Sequence, residues 1–423
     1  MTQLNTEKNL SEWLSWMEAC HPSEIELGLD RIKTVAEKLA IDLSSSTVVT
    51  VAGTNGKGST ISYLQSIYLG AGYSVGTYTS PHFIEYNERV QLSGQNVSDQ
   101  QLCDVFSRID AARGEIPLTY FEFGTLAALV IFSDEKPDLV LLEVGLGGRL
   151  DAVNIIDADV ALVTTVALDH TDWLGDNRED IGFEKAGIFR SGKPAICGDL
   201  NPPGSIAATA QKLNAQLLQS QKDFNFSADE QNWHWQGKTA SGEDAEIAEI
   251  PLPKLPLPNA ATAIQATRFI SLAINDEQIK TGIGNARLTG RMQTIRSAGI
   301  NFCLDVAHNP EAAEHLKQQL AAMPGQKWLV LGMLADKDCQ SVISALEASF
   351  EKVYLVTLDN PRGLKATELQ SYFSANADVI TKPTVADALS EIKTLNNLPE
   401  NVIIAGSFFT VADALSVLET DPA

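Results

Sequence analysis

The chain has 423 residues, 44% of them hydrophobic and 20% charged, a composition that excludes a chain disordered throughout. At roughly 100–200 residues per domain it predicts two or three domains, each large enough for its own core. Lys and Arg number 31 against 54 Asp and Glu, so the net charge is −23, which argues against binding nucleic acid or a membrane surface. An anionic substrate would have to be met by local cations, backbone N–H groups or metal ions.

The opening MTQLNTEKNLSEW carries no basic-then-apolar signal, and no apolar run approaches the roughly 18 residues of a membrane span. Cys20, Cys103, Cys197, Cys303 and Cys339 are scattered without a CxxC pair, which reads as reduced thiols in a cytoplasmic protein. Leu10–Lys38 has helical periodicity, interrupted at His21-Pro22. From Thr47 the pattern is strand (TVVTVA), glycine-rich loop (AGTNGKGS) and helix (TISYLQSIYLGAG). FEFGTLAALVIFSDE reads as a helix, and PDLVLLEV and ADVALVTTV after it as strands, the latter running on into ALDH. Both strands are nearly all apolar, as expected of a parallel sheet covered on both faces. REDIGFEKAGIF and IAATAQKLNAQLLQSQ read as later crossover helices, and FNFSADEQNWHWQG, alternating apolar and polar, as a small antiparallel hairpin. Proline-rich PLPKLPLP then leads into a helix, NAATAIQATRFI. After Arg291, NFCLDVA, QKWLVLGML, KVYLVTL and NVIIAGS are strands separated by helices such as PEAAEHLKQQLAAM and VADALSVLE. The expected fold is α/β: a larger α/β domain over residues 1–286, a glycine-containing junction over 287–300, and a smaller α/β domain over 301–423.

Gly53-Thr54-Asn55-Gly56-Lys57-Gly58-Ser59-Thr60 lies between a strand and a helix. Glycines let the backbone curl so that N–H groups point inward, the helix N-terminus adds partial positive charge, and Lys57 can reach terminal phosphates. The spacing departs from GxxxxGK[ST], yet strand, GK and hydroxyl pair together favour a nucleoside triphosphate. Such a ligand arrives with Mg²⁺, whose oxygen ligands are sought at strand C-terminal ends. Ser80 follows one strand, Glu143 ends another, and Asp169 and His170 are read as ending a third. Taken singly, Glu143 could cap nearby N–H groups and His170 could be a hydrogen-bonded core histidine; together they favour a metal. Lys185, in the otherwise apolar FEKAGIF, reads first as a helix lysine extending its head to water, and second as a lysine able to form a carbamate. Asp305 and Asn309, in DVAHNP, could serve a site or merely cap the helix that Pro310 begins. His82, His234 and His315 have no comparable setting.

In chain order, GTNGKGS, TSPH, FEFGT, LEVGLGGRLDAVN, ALDHTDWLG, EKAGI, LPLPNAATA, GRM and DVAHNP resemble the signature series of the folylpolyglutamate synthase/dihydrofolate synthase family, within the ATP-dependent Mur ligase superfamily. The resemblance spans essentially the whole chain. It implies a Mur-ligase-like P-loop ATP-binding domain followed by a Rossmann-like C-terminal domain, with catalysis in the cleft between them. It implies that Asn55, Gly56, Lys57, Gly58 and Ser59 hold the phosphates and that Asn259, Arg291 and Asp305 contact the nucleotide. Ser80, Glu143 and His170 match the family's Mg²⁺ ligands, with two ions implied and a monovalent cation as an option. Lys185 matches its carbamylated lysine, and His308 lies where the incoming glutamate is handled. Ile25, Glu26, Leu27 and Gly28, Thr119, Tyr120, Phe121 and Glu122, and Leu150, Asp151 and Ala152 match contacts to the pterin substrate.

The implied activity is ATP-dependent ligation of L-glutamate to dihydropteroate and to reduced folates such as tetrahydrofolate, by a cytoplasmic monomer. HPSEIELGLDRI resembles the segment of bifunctional members. A folylpolyglutamate synthase limited to chain extension is the alternative, followed by a cell-wall Mur ligase acting on a UDP-sugar peptide, for which no separate UDP-binding domain is expected before Thr47. A nucleotide-dependent switch would need the loop but not DVAHNP, Lys185 and a second domain.

Overall fold

The computed structural model describes residues 8–21 and 26–418. The chain folds as two compact units, Met1–Arg287 and Leu288–Ala423.

The first unit opens with helices α1 (Leu10–Cys20) and α2 (Asp30–Lys38). Next come β1 (Thr47–Ala52), α3 (Lys57–Gly70), β2 (Val75–Tyr78), β3 (Val90–Leu92), β4 (Gln95–Asn96), α4 (Asp99–Arg113) and α5 (Tyr120–Glu135). The sheet continues through β5 (Leu139–Glu143), β6 (Val160–Val163), α6 (Thr171–Leu174), α7 (Arg178–Ala186), β7 (Pro194–Cys197), α8 (Gly204–Leu213) and β8 (Gln216–Gln219). The eight strands run in the order β4-β3-β2-β5-β1-β6-β7-β8, with β2 through β8 in that row parallel and the β3–β4 edge antiparallel. Every residue of β5 is buried, as are Val48–Ala52 of β1, so helices must cover both faces. Helix α5 buries Glu122–Phe132 without interruption, and α4 packs beside it.

A separate three-stranded antiparallel sheet, β9 (Asn225–Ala228), β10 (Asn232–Lys238) and β11 (Asp244–Pro251), replaces the simple hairpin expected here and buries Trp233 and Trp235 completely. Helices α9 (Leu257–Thr267) and α10 (Asp276–Asn285) then pack on α3.

The second unit contains β12 (Gln293–Ser297), β13 (Ile300–Leu304), α11 (Pro310–Ala322), β14 (Lys327–Leu331), α12 (Cys339–Leu346), β15 (Lys352–Val356), α13 (Ala366–Leu369), β16 (Val379–Lys382), α14 (Val385–Thr394), β17 (Asn401–Ala405) and α15 (Phe408–Leu418). Its sheet order is β12-β13-β17-β14-β15-β16, parallel except for β12.

Three further expectations change. The junction expected over 287–300 holds strand β12, which pairs with β13 through Gln293–Leu304 to Ser297–Ile300 and so belongs to the second unit. The helix expected to run through NAQLLQSQ stops at Leu213, because Asn214 turns left-handed (φ 53) and Gln216–Gln219 joins the sheet edge as β8. Strand β6 stops at Val163, so His170 is not at a strand end; it lies on the following loop with φ 50 and precedes the short α6. Among the described residues no helix is long and apolar enough to cross a membrane.

Candidate active site

The phosphate loop begins where β1 ends, in the interior of the sheet. Gly56 has φ 87 and precedes α3 with no side-chain cap, so the first-turn N–H groups of α3 face out of the helix end. A Cβ on Gly56 would lie 2.6 Å from Asn259 Oδ1, which places Asn259, at the start of α9, directly against the loop. A Cβ on Gly53 would lie 1.8 Å from Thr164 Oγ1. Threonines that follow β6 brace the loop from below. Thr164 Oγ1 donates to Asn55 O at 2.5 Å, Asn55 N donates to Thr165 Oγ1 at 3.1 Å, and Thr54 N donates to Thr165 O at 2.8 Å. Lys57 Nζ curls back to donate to Gly53 O at 2.9 Å and Thr54 O at 3.3 Å, a resting position over the loop it would serve. Ser59 and Thr60 are buried.

Ser80, Glu143, this loop and His170 follow β2, β5, β1 and β6, four consecutive strands of the sheet. Ser80 N donates to Glu143 Oε2 at 3.1 Å, joining two of the residues expected around a metal. Glu143 is 6% exposed at the end of an all-buried strand, where a carboxylate suits a cation. His170 is exposed. Among the described residues no three His, Cys, Asp or Glu side chains converge as a metal site. Glu143 and His170 with Ser80 would therefore leave positions for phosphate oxygens and water, as Mg²⁺ sites commonly do.

The loop after Glu143 connects the remaining groups. Arg149 N donates to Glu184 O at 2.8 Å, and a Cβ on Gly148 would lie 3.1 Å from Lys185 Cα, so this loop is pressed against the last turn of α7. Lys185 itself is 4% exposed. Its neighbour Glu184 pairs through its carboxylate with Arg149 at 2.8 Å. Asp151 is buried and accepts hydrogen bonds from Leu146 N at 2.7 Å and Val153 N at 3.0 Å. Burial pushes its carboxyl up to about 6, against the opposing pull of those N–H groups and of Lys57. Ala152 is buried beside it and Leu150 half-buried.

Phe121 reaches the same loop, since a Cβ on Gly145 would lie 2.5 Å from its ring, and the ring is tilted against Tyr78 with centroids 6.0 Å apart. Thr119 and Glu122 form the capping box of α5, with Glu122 N donating to Thr119 Oγ1 at 3.2 Å and Thr119 N to Glu122 Oε2 at 2.8 Å. Tyr120 lies beneath the Arg89 guanidinium, 5.7 Å from ring centroid to Cζ, and Arg89 Nε donates to His82 Nδ1 at 2.8 Å. Burial and Arg89 together lower His82 to about 4, so its imidazole is neutral near pH 7. Glu26 is exposed, Leu27 and Gly28 are half-buried, and Ile25 lies outside the described residues.

In the second unit, Asp305 follows β13 and accepts from Met292 N at 3.1 Å and Ala307 N at 2.9 Å. Burial raises its carboxyl, opposed first by Arg291. Arg291 Cζ stands 5.3 Å from the Phe408 ring centroid, and the His308 ring lies 6.3 Å from the same ring. The His308 Nδ1 contact to Val306 O is 2.7 Å, and Asn309 caps α11 by accepting from Ala312 N at 3.0 Å. Sequence reasoning missed Thr164, Thr165, Arg31 and Phe408. Only the hydroxyl pair closing the apolar run ADVALVTT offered a local sign.

A glycine-rich loop interior to a parallel sheet, followed by a second α/β unit, agrees with a ligase of the Mur class, and two family models match the chain as such. Residues 51–264 match the Mur ligase middle domain and residues 290–408 the Mur ligase glutamate ligase domain. An Escherichia coli (strain K12) protein, dihydrofolate synthase/folylpolyglutamate synthase, is 44% identical over 97% of this chain and 96% of its own length. A solved structure of E. coli FolC in complex with DHPP and ADP superposes with a TM-score of 0.92, at 44% identity, covering 97% of this chain and 98% of that one. Another, of a bifunctional folylpolyglutamate synthase/dihydrofolate synthase with Mn, AMPPNP and L-glutamate bound, gives a TM-score of 0.89 at 44% identity, covering 97% and 98%. The chain belongs to the dihydrofolate synthase/folylpolyglutamate synthase family.

Proposed function

We propose that the chain is an ATP-dependent ligase that joins L-glutamate to dihydropteroate, and further glutamate to reduced folates, through an acyl phosphate. The observation that carries this reading is the uncapped N-terminus of α3 with Asn259 against Gly56, beside a buried Glu143 joined to Ser80 on the neighbouring strands. A carboxylate does not condense with an amine in water unless it is activated. Transfer of the γ-phosphoryl group to the pteroate carboxylate releases ADP. The glutamate amine then attacks the acyl carbon, phosphate leaves with the C–O electron pair, and the amine loses its proton.

Two anions meet in the first step, so charge neutralisation and alignment dominate the catalysis. Asn55–Ser59 receive the phosphates and Lys57 swings from Gly53 O and Thr54 O onto them. Mg²⁺, held by Ser80, Glu143 and His170, supplies further neutralisation when bound. A carbamate on buried Lys185 would add a negative oxygen donor for a second ion. Leu27, Gly28, Phe121 and Asp151 bind the pterin, with Phe121 offering a flat ring face. From the second unit, Arg291 and Asp305 serve the nucleotide and His308 the incoming glutamate. The free cysteines accord with a reducing cytoplasm, where we place the protein as a monomer.

The test is glutamate incorporation by purified protein with dihydropteroate as sole acceptor, then with tetrahydrofolate as sole acceptor. Activity with both is expected. Activity with one alone reduces the assignment to a single synthase, and activity with neither overturns it.

A further inference from the structure

Two chain segments assigned to the pterin substrate, one around Glu26–Gly28 and one at Thr119–Glu122, lie far apart in the sequence. One side chain spans them. Arg31, in the first turn of α2, pairs through Nη1 with Glu26 Oε1, and its Nη2 donates to Glu26 O at 2.9 Å and to Glu122 Oε1 at 3.3 Å. The chain of polar contacts extends at both ends. Glu26 Oε2 meets His21 Nε2 at 3.1 Å, and the other Glu122 oxygen accepts from Thr119 N at 2.8 Å.

The exposures show what this arrangement fixes. The Glu122 side chain is 4% exposed, Arg31 21% and Glu26 47%. Glu122 is thus a buried anchor, and Arg31 extends from it to a half-open loop. At Gly28 (φ 147) the segment is open, since a Cβ there would meet nothing within 4 Å. An exposed carboxylate gains little stability from its ion pair, so the Glu26 contact matters more for geometry than for fold stability. The hydrogen bond to the Glu26 carbonyl also fixes the direction in which the backbone enters Leu27 and Gly28.

We infer that Arg31 is a positioning residue for the pterin substrate, setting the register of segment 26–28 against Thr119–Glu122. This rests on the function proposed above. The planar fork is what the role needs, because it reaches a carboxylate, a carbonyl and a second carboxylate from one rigid group. A lysine keeps the charge beside Glu122 but offers a single point of contact.

The experiment compares wild type, Arg31→Lys and Arg31→Met, each in steady-state kinetics with dihydropteroate, ATP and glutamate varied in turn. Both variants should raise the dihydropteroate KM by about tenfold or more, with kcat and the ATP KM shifting less than about twofold. Without substrate, backbone amides 26–29 should exchange hydrogen faster in Arg31→Lys than in wild type. Unchanged dihydropteroate KM and exchange in a folded Arg31→Lys would overturn the inference alone. So would a fall in kcat with every substrate's KM preserved, or loss of folding in both variants, which would mark Arg31 as structural. A wild type unable to ligate glutamate to dihydropteroate would overturn the proposed function and this inference with it.

Discussion

Gly56 and Asn259 share a space with no room for one more carbon: a Cβ on Gly56 would sit 2.6 Å from Asn259 Oδ1. The glycine also holds φ 87, which an L side chain adopts only with strain. Gly56→Ala should therefore both displace Asn259 and distort the N-terminus of α3, at about 1–3 kcal/mol. The expected result is a lower melting temperature, read by thermal melts, and an ATP KM raised by about tenfold or more, read by steady-state kinetics with ATP varied. An unchanged ATP KM would count against the loop as the phosphate site.

Lys57 contrasts with that glycine. It is half-buried, and its ammonium rests on two loop carbonyls. Lys57→Ala should change stability by no more than about 1 kcal/mol while abolishing ATP-dependent phosphate release. Circular dichroism melts beside the release assay separate the two effects, and near-normal turnover at saturating ATP would refute the assignment.

Lys185 is buried in the last turn of α7 with the Gly148 backbone against it. Lys185→Ala should be inactive, and short carboxylic acids added in excess should restore part of the activity by supplying the missing oxygens. Mass spectrometry showing an unmodified amine in the active, metal-loaded protein would exclude the carbamate.

Asp151 gives a pH signature. Its carboxyl is raised from 3.8 to about 6 by burial, so the folded state binds the proton more tightly than the unfolded chain. Between pH 4 and 6 this group therefore makes stability fall as pH rises, by roughly 3 kcal/mol in total for a shift of this size. Asp151→Asn removes that slope. Denaturant unfolding of both proteins at a series of pH values should show wild type losing its advantage over the variant through this window. Parallel profiles would mean the carboxyl is not strained by burial.

Where chemistry and local pattern coincide, the sequence was readable. GTNGKGS between a β-branched strand and a helix announced its backbone, and the apolar run PDLVLLEV announced a strand covered on both faces. Local pattern failed where tertiary contacts decide. IAATAQKLNAQLLQSQ keeps a helical rhythm throughout, but Asn214 turns left-handed and pairing with β7 makes the QLLQ after it a strand. TVALDH looks like continuing strand, yet its backbone leaves the sheet at Val163 to hydrogen-bond the phosphate loop through Thr164 and Thr165. Arg31 could not be singled out because its meaning lies in Glu122, 91 positions away. Phe408 was silent for the same reason: its ring meets the Arg291 guanidinium only because the fold brings the two ends of the second unit's chain together.

The brace beneath the phosphate loop has a consequence for the order in which the protein is made. Asn55 is held by Thr164, 109 residues later in the chain. A ribosome that has delivered β1 through β5 has already exposed every residue of GTNGKGS but none of the hydroxyls that shape it. Such high contact order means the nucleotide site matures late although its signature emerges early. Nascent or truncated chains ending before Thr165 should not acquire the loop's shape, so ATP can act as a ligand only once β6 is in place.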